Sequence, residues 1–171
     1  MDENIEFIKI YFTELKIESL FFIFIGLIAI CLALIFWFII KYSFYKGFAY
    51  PLLIIGIVQL TVGSISFFKA ECDMQRVEFY NVNKNQYLFQ NELHRMEMVT
   101  TNFTLFIWIE IVLILLGIFL YFYFKPINQV FWKGLGLGLF VQAVILLSLD
   151  LVAEKRNQTY MSTILKIVSA K

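Results

Sequence analysis

Long uncharged runs alternate with shorter polar stretches along this chain. Ser19–Ile40 runs for 22 residues without a formal charge, and Gly47–Phe68 for another 22. Asn102–Phe124 has 23 residues with one acid, Glu110, and Gly134–Ala153 has 20 with one acid, Asp150. At about 1.5 Å per residue, each run crosses a hydrocarbon core about 30 Å thick as a helix. A backbone in lipid must satisfy its amides internally, which for isolated runs of this length means α-helix. Barrel strands would be roughly half as long and would alternate polar with apolar residues, and these runs do not. The pattern predicts an all-α membrane protein, with four transmembrane helices in a bundle of two tandem helical hairpins. The whole chain, 1–171, reads as a single membrane domain.

The stretches between and beyond the runs have patterns of their own. Residues 69–101 are too long for a turn. "AECDMQRVEFY" (70–80) can extend the second span as a helix, and "NVNKNQ" (81–86) suits a bend. "NELHRMEMVTTNF" (91–103) can lead into the third span, with Asn91 as a cap. Glu92 and Arg95 are three apart and can pair, and Arg76 belongs to the same segment. The prediction is a helical loop projecting from the membrane, with Val77, Phe79, Tyr80, Tyr87, Leu88 and Phe89 available for burial or docking. Before the first span, Ile5, Ile8, Phe12 and Leu15 share one face. After the fourth, Tyr160, Ile164, Ile167 and Val168 do the same within the tail 154–171. Both ends are expected to lie along the membrane surface as amphipathic helices. For the first, continuity with the first span is the alternative. The acidic residues ahead of that span (Asp2, Glu3, Glu6) argue for a retained anchor and against a cleaved leader.

Lipid is as apolar as leucine, so small and polar residues must hold the spans together. Each span has them at helical spacing: Ser19, Gly26, Ala29 and Ala33; Gly56, Gln59, Gly63 and Ser66; Glu110 and Gly117; Gly134, Gly138 and Gln142. With these faces inward, Gln59 lies about 18 Å from one membrane edge and Glu110 about 12 Å from the other. These depths coincide in a 30 Å core, so Gln59, Glu110 and Gln142 form an expected buried polar site, and Asp150 is counted with the same buried polar core. An acid at that depth is costly and faces inward, either as a proton or cation site or as a hydrogen bond that fixes register. Asp150, nearer the surface, is expected to reach Lys155 or Arg156.

Two short strings repeat: "SFYKGFAYP" (43–51) and "VFWKGLGLG" (130–138). Each sits where the chain re-enters the membrane. Tyr45 and Trp132 suit the headgroup belt, and Lys46 and Lys133 can reach outward from it. The charges also suggest a direction. Four spans put ten of the 14 Lys and Arg residues on the side of the termini and middle loop, and four (Lys41, Lys46, Lys125, Lys133) on the other. Both termini are therefore expected in the cytoplasm.

Composition agrees, with 61% hydrophobic and 19% aromatic residues and a mean hydropathy of +0.79. A net charge of +1 gives no electrostatic footprint for nucleic acid. Two cysteines, Cys31 and Cys72, are too few for a disulfide framework, and one histidine, His94, cannot build a zinc site or a catalytic triad at membrane depth. No metal site, cofactor or catalytic residue is therefore expected.

"FYKGFAYPLLIIGIVQLTVG", "ELHRMEMVTTNF" followed by Glu110, and "FWKGLGLGLFVQAVILLSLDLVAEKR" together resemble a widespread group of four-span bacterial inner-membrane proteins that carries no assigned activity. The resemblance covers roughly residues 43–160 and implies a multi-pass protein of that membrane. An arginine is expected directly after the second span, where this chain has Lys69.

The functional expectation is a non-enzymatic membrane protein acting through contacts with another protein or a second copy of itself. An immunity or accessory factor against a membrane-targeted toxin is one form. Two alternatives stand beside it: a small oligomeric channel or transporter using Glu110, Gln59 and Gln142, and a lipid-binding or lipid-modifying protein. Membrane lipid is a partner in every version.

Overall fold

The structure, a computed structural model, describes residues 2–82, 86–124 and 129–169, with side chains over 6–79, 90–124 and 129–166. It consists of α1 (Asp2–Phe38), α2 (Ser43–Val82), α3 (Gln86–Tyr123) and α4 (Val130–Ser169). Lys125, and the side chains of Ile5, Tyr80, Tyr87, Leu88, Phe89, Ile167 and Val168, lie outside the described residues. Each helix contains a stretch long and apolar enough to cross a membrane. The chain is a multi-pass, all-α membrane protein.

The helices are much longer than the apolar runs that predicted them. At 37 to 40 residues they reach about 55–60 Å, against a hydrocarbon core of about 30 Å. The excess lies at one end, where the N-termini of α1 and α3 meet the C-termini of α2 and α4. This polar end corrects the expectation that the two chain ends lie flat on the membrane. Residues 2–38 form one unbroken helix, and 154–169 continue α4. The apolar faces of the ends are each other's partners: Ile8, Phe12, Tyr160 and Ile164 are fully or almost fully buried in one core with Tyr11, Ala70, Val77 and Met96. The Tyr11 and Tyr160 rings stack at 3.9 Å between centroids. Burial against a protein face removes these groups from water, so no lipid surface is needed to cover them.

Within the membrane the packing order is α1–α2–α4–α3. α1 packs along α2, α3 along α4, and the two hairpins join through a seam between α2 and α4. α1 meets α4, and α2 meets α3, over short stretches only, and among the described residues the α1 and α3 backbones stay apart.

Glycines set the spacing of these pairs. A Cβ on Gly117 would stand 2.7 Å from the Gly136 carbonyl oxygen, and one on Gly136 would stand 2.7 Å from that of Gly117. Gly26 and Gly56 make the corresponding approach between α1 and α2, and Gly63 abuts the Ser19 backbone. The repeated strings cross each other at the α2–α4 seam. A side chain on Gly47 would overlap the Phe131 carbonyl, and one on Gly134 would overlap that of Phe44. Counting 87 residues from Ser43 to Val130, these are the same contact made twice with the roles exchanged. Gly138 then rests on Phe48. Tyr45, Lys46 and Trp132 are exposed at this end and Lys133 is half-buried. Trp132 stacks on Phe124 with centroids 5.4 Å apart. Phe24, Ile54, Ile65, Trp108, Leu115 and Phe119 face outward.

Candidate functional site: a groove between the hairpins with a polar floor

The missing contact between α1 and α3 leaves a space. A cavity of about 530 Å³ lies between them, with all four helices contributing. Its walls are apolar, with Phe22, Ile55, Val62, Phe103, Phe106 and Leu146 among them. Its floor is polar: Gln59 from α2, Glu110 from α3 and Asp150 from α4, with Glu18 and Arg156 toward the polar end. Ligand pockets share this design, a mostly apolar cleft of roughly 300–1,000 Å³ with a few placed polar groups.

The floor differs in pairing from the sequence expectation. Gln142 donates through Nε2 to Gln59 Oε1 at 2.7 Å, with 3% and 1% of these residues exposed. Glu110 is 4% exposed, but its partner within hydrogen-bonding reach is the Asp150 carboxyl, not an amide. Asp150 therefore does not form the surface ion pair expected of it. Arg156 pairs instead with Glu18 and stands over the Tyr11 ring, 5.4 Å from its centroid. Asp150 and Arg156 are six apart on α4, about 120° around the helix, and Arg156 is engaged by Glu18 of α1 while Asp150 faces Glu110 of α3.

Two buried polar atoms here lack a hydrogen bond and an ion pair. Among the described residues, these are Glu110 Oε2 and Gln59 Nε2; Glu18, Arg156 and Glu78 also carry atoms without a hydrogen bond, but Glu18 and Arg156 form an ion pair and Glu78 pairs with Lys9 at 3.4 Å. Glu110 and Gln59 both line this cavity. Buried polar groups are normally satisfied, and such exceptions mark a place where water or a ligand belongs.

The polar end is satisfied by contrast. Arg95 donates to both oxygens of Glu92, at 2.6 and 3.0 Å, and to Asp73 at 3.2 Å. Arg76 donates to Asp73 at 2.8 Å. Tyr160 donates to Glu92 at 3.4 Å. Tyr11 donates to Asn157 at 3.1 Å, and Asn157 donates to Thr100 at 2.8 Å. Lys16 pairs with Glu71. Tyr11 and Tyr160 lie outside the apolar spans. Burial pushes the Tyr11 hydroxyl up to about 12 and raises that of Tyr160 further, so both remain donors at neutral pH. Arg76, Glu92 and Arg95, expected to sit on a loop, thus lock α2, α3 and α4 together. Val77, expected to be available for burial, is fully buried.

Sequence reasoning grouped Gln59, Gln142 and Glu110 in one polar site but expected a glutamine to meet Glu110, whereas the two glutamines bond each other. It missed the Glu18–Arg156 pair, Gly136, and the roles of Asp73, Tyr11, Thr100 and Asn157. Extending the small-and-polar spacing past the apolar runs finds several of these. On α2 the row Gly56, Gln59, Gly63, Ser66 continues as Ala70, Asp73 and Val77. On α4 Gln142 is followed by Ala153, Asn157, Tyr160 and Ile164.

Among the described residues no three His, Cys, Asp or Glu side chains are grouped so as to hold a metal ion. Compared with protein-family models, curated proteins and solved structures, the chain matches none.

Proposed function

We propose that this chain is a non-enzymatic protein of a bacterial inner membrane, with both termini cytoplasmic, that takes an amphiphilic molecule from the lipid phase into the groove between its hairpins. One observation carries the reading: two buried polar atoms without a hydrogen bond, Gln59 Nε2 and Glu110 Oε2, lie on the floor of an apolar cavity between the long apolar helices. Apolar walls suit a tail, and the polar floor suits a group needing hydrogen bonds. Size favours a small molecule. A partner's helix about 10 Å across and 30 Å long fills roughly 2,400 Å³, several times the 530 Å³ present. The middle hairpin, which motivates a reading based on protein contacts, turns much of its polar and apolar surface inward.

A diazirine-tailed phospholipid incorporated with the purified protein tests this. Photolysis is expected to label peptides bearing Phe22, Val62 and Phe106 above those of the open lipid face, such as Leu115 and Phe119. Val62→Trp, a substitution at a half-exposed wall position, should abolish the excess. Even labelling over all apolar faces, unchanged by Val62→Trp, refutes the proposal.

A further inference from the structure

We infer that the groove selects an uncharged amphiphile whose polar end is a hydroxyl, one group that accepts a hydrogen bond from Gln59 and donates one to Glu110. The inference rests on the amphiphile-binding reading and names its ligand class.

Two atoms on the floor define the ligand. Gln59 Nε2 and Glu110 Oε2 line the cavity without a hydrogen bond, and both residues are buried. Gln59 already accepts from Gln142 through Oε1. What it lacks is an acceptor for its amide nitrogen, a group that can only donate. Glu110 meets the Asp150 carboxyl, and because Oε2 has no partner that contact runs through the other oxygen. A proton shared by two carboxyls lies in the contact between them, so Oε2 accepts whether or not the pair holds one. The missing group must therefore accept from α2 and donate to α3. A hydroxyl does both.

Other polar ends satisfy one atom and strand the other. An ammonium only donates, which leaves Gln59 without an acceptor. An ether or a carboxylate only accepts, which leaves Glu110 without a donor. An anionic end also approaches Glu110 and Asp150, while Arg156, the one base on the lining, is already held by Glu18. A buried donor or acceptor left unmade costs about tenfold or more in affinity. Water can serve the same two atoms, but it gains nothing from Phe22, Phe103, Phe106 and Leu146 around them. An alkyl chain carrying the hydroxyl does gain from those walls.

The test uses the full chain in lipid nanodiscs with four probes that share one diazirine-bearing hexadecyl tail and end in a hydroxyl, a methyl ether, a carboxylate or an ammonium. Each is added at trace mole fraction, so all compete with the same bulk lipid. Labelling at Phe22, Val62 and Phe106 is divided by labelling at Leu115 and Phe119, residue by residue from fragment spectra. The ratio is expected to be about tenfold higher for the alcohol than for each of the other three probes. In Glu110→Leu the advantage of the alcohol over the ether should shrink to within about twofold, because no acceptor is left to satisfy. In Gln59→Leu the alcohol should lose its advantage over the ammonium. The wild-type comparison needs no variant, so a folding defect cannot mask it. Equal wild-type ratios, or a highest ratio for any probe other than the alcohol, overturn the inference, and the amphiphile groove stands as long as phospholipid labelling favours it. Ratios near one for all four probes, with even phospholipid labelling, overturn both.

Discussion

Placing a methyl group on Gly117 tests the packing that defines the α3–α4 hairpin. The new carbon would meet the Gly136 oxygen at 2.7 Å and the Phe140 nitrogen at 2.8 Å. Both atoms are backbone, so neither can swing aside, and the helices must separate by roughly half an ångström or more. Overpacking of this kind costs about 1–3 kcal/mol. Alanine also favours the helix over glycine by up to about 1 kcal/mol, which offsets part of that loss. The double variant removes this ambiguity. Gly136→Ala makes the reciprocal clash, with its Cβ 2.7 Å from the Gly117 oxygen, and a separation forced by one methyl also makes room for the other. Propensity adds for the two sites, whereas the separation is needed only once. The double variant should therefore cost less than the sum of the singles by about 1–2 kcal/mol. Pairing Gly117→Ala with Gly26→Ala, in the other hairpin, should be additive within about 0.5 kcal/mol. Reversible unfolding in mixed micelles of mild and denaturing detergent measures all of these. Additivity of Gly117→Ala with Gly136→Ala, or a negligible cost for both singles, would show that the helices do not touch at these glycines.

Other expectations follow from single contacts. A double-mutant cycle of Gln59→Leu and Gln142→Leu should give a coupling of about 0.6–1.7 kcal/mol, typical of hydrogen bonds between membrane helices, and zero coupling would separate the two amides. Arg95→Ala leaves the buried Glu92 without its main partner and Asp73 with Arg76 alone, and should cost about 3 kcal/mol in the same assay. A loss below about 1 kcal/mol would place Arg95 in solvent. The native cysteines provide a depth gauge. Both are exposed, but Cys31 lies about 18 Å into the first span while Cys72 lies beyond the second. In sealed proteoliposomes opened from either side, a membrane-impermeant maleimide should modify Cys72 and spare Cys31. Equal modification of the two contradicts the span boundaries.

The apolar runs made the number of membrane crossings legible because a bilayer imposes one length on every span. The stripes of Gly26, Gly56, Gly63 and Gly117 were legible for a related reason, since only small residues let membrane helices approach. Pairings were less so. Depth places Gln59, Gln142 and Glu110 at one level, but helix rotation decides who meets whom, and Asp150 took the position opposite Glu110 that a glutamine was expected to fill. At the polar end the spacing of Glu92 and Arg95 gives their local pairing on a helical loop, but nothing in the sequence marks Asp73 of α2 as a buried partner of Arg95. Their burial depends on the helices continuing past the lipid, which hydropathy alone does not register. Glu18 and Arg156 sit at that transition, where an acid and a base are equally at home paired or solvated.

The frame is pinned at both extremities. At one, the Gly47 and Gly134 backbones cross too closely to slide. At the other, Tyr11, Asn157, Thr100, Arg95 and Asp73 tie the four helices into one knot. Between these fixed points α1 and α3 stand apart like the uprights of a doorway whose lintel and sill are both fastened. On the amphiphile-binding reading proposed above, entry through that doorway is sideways from the lipid.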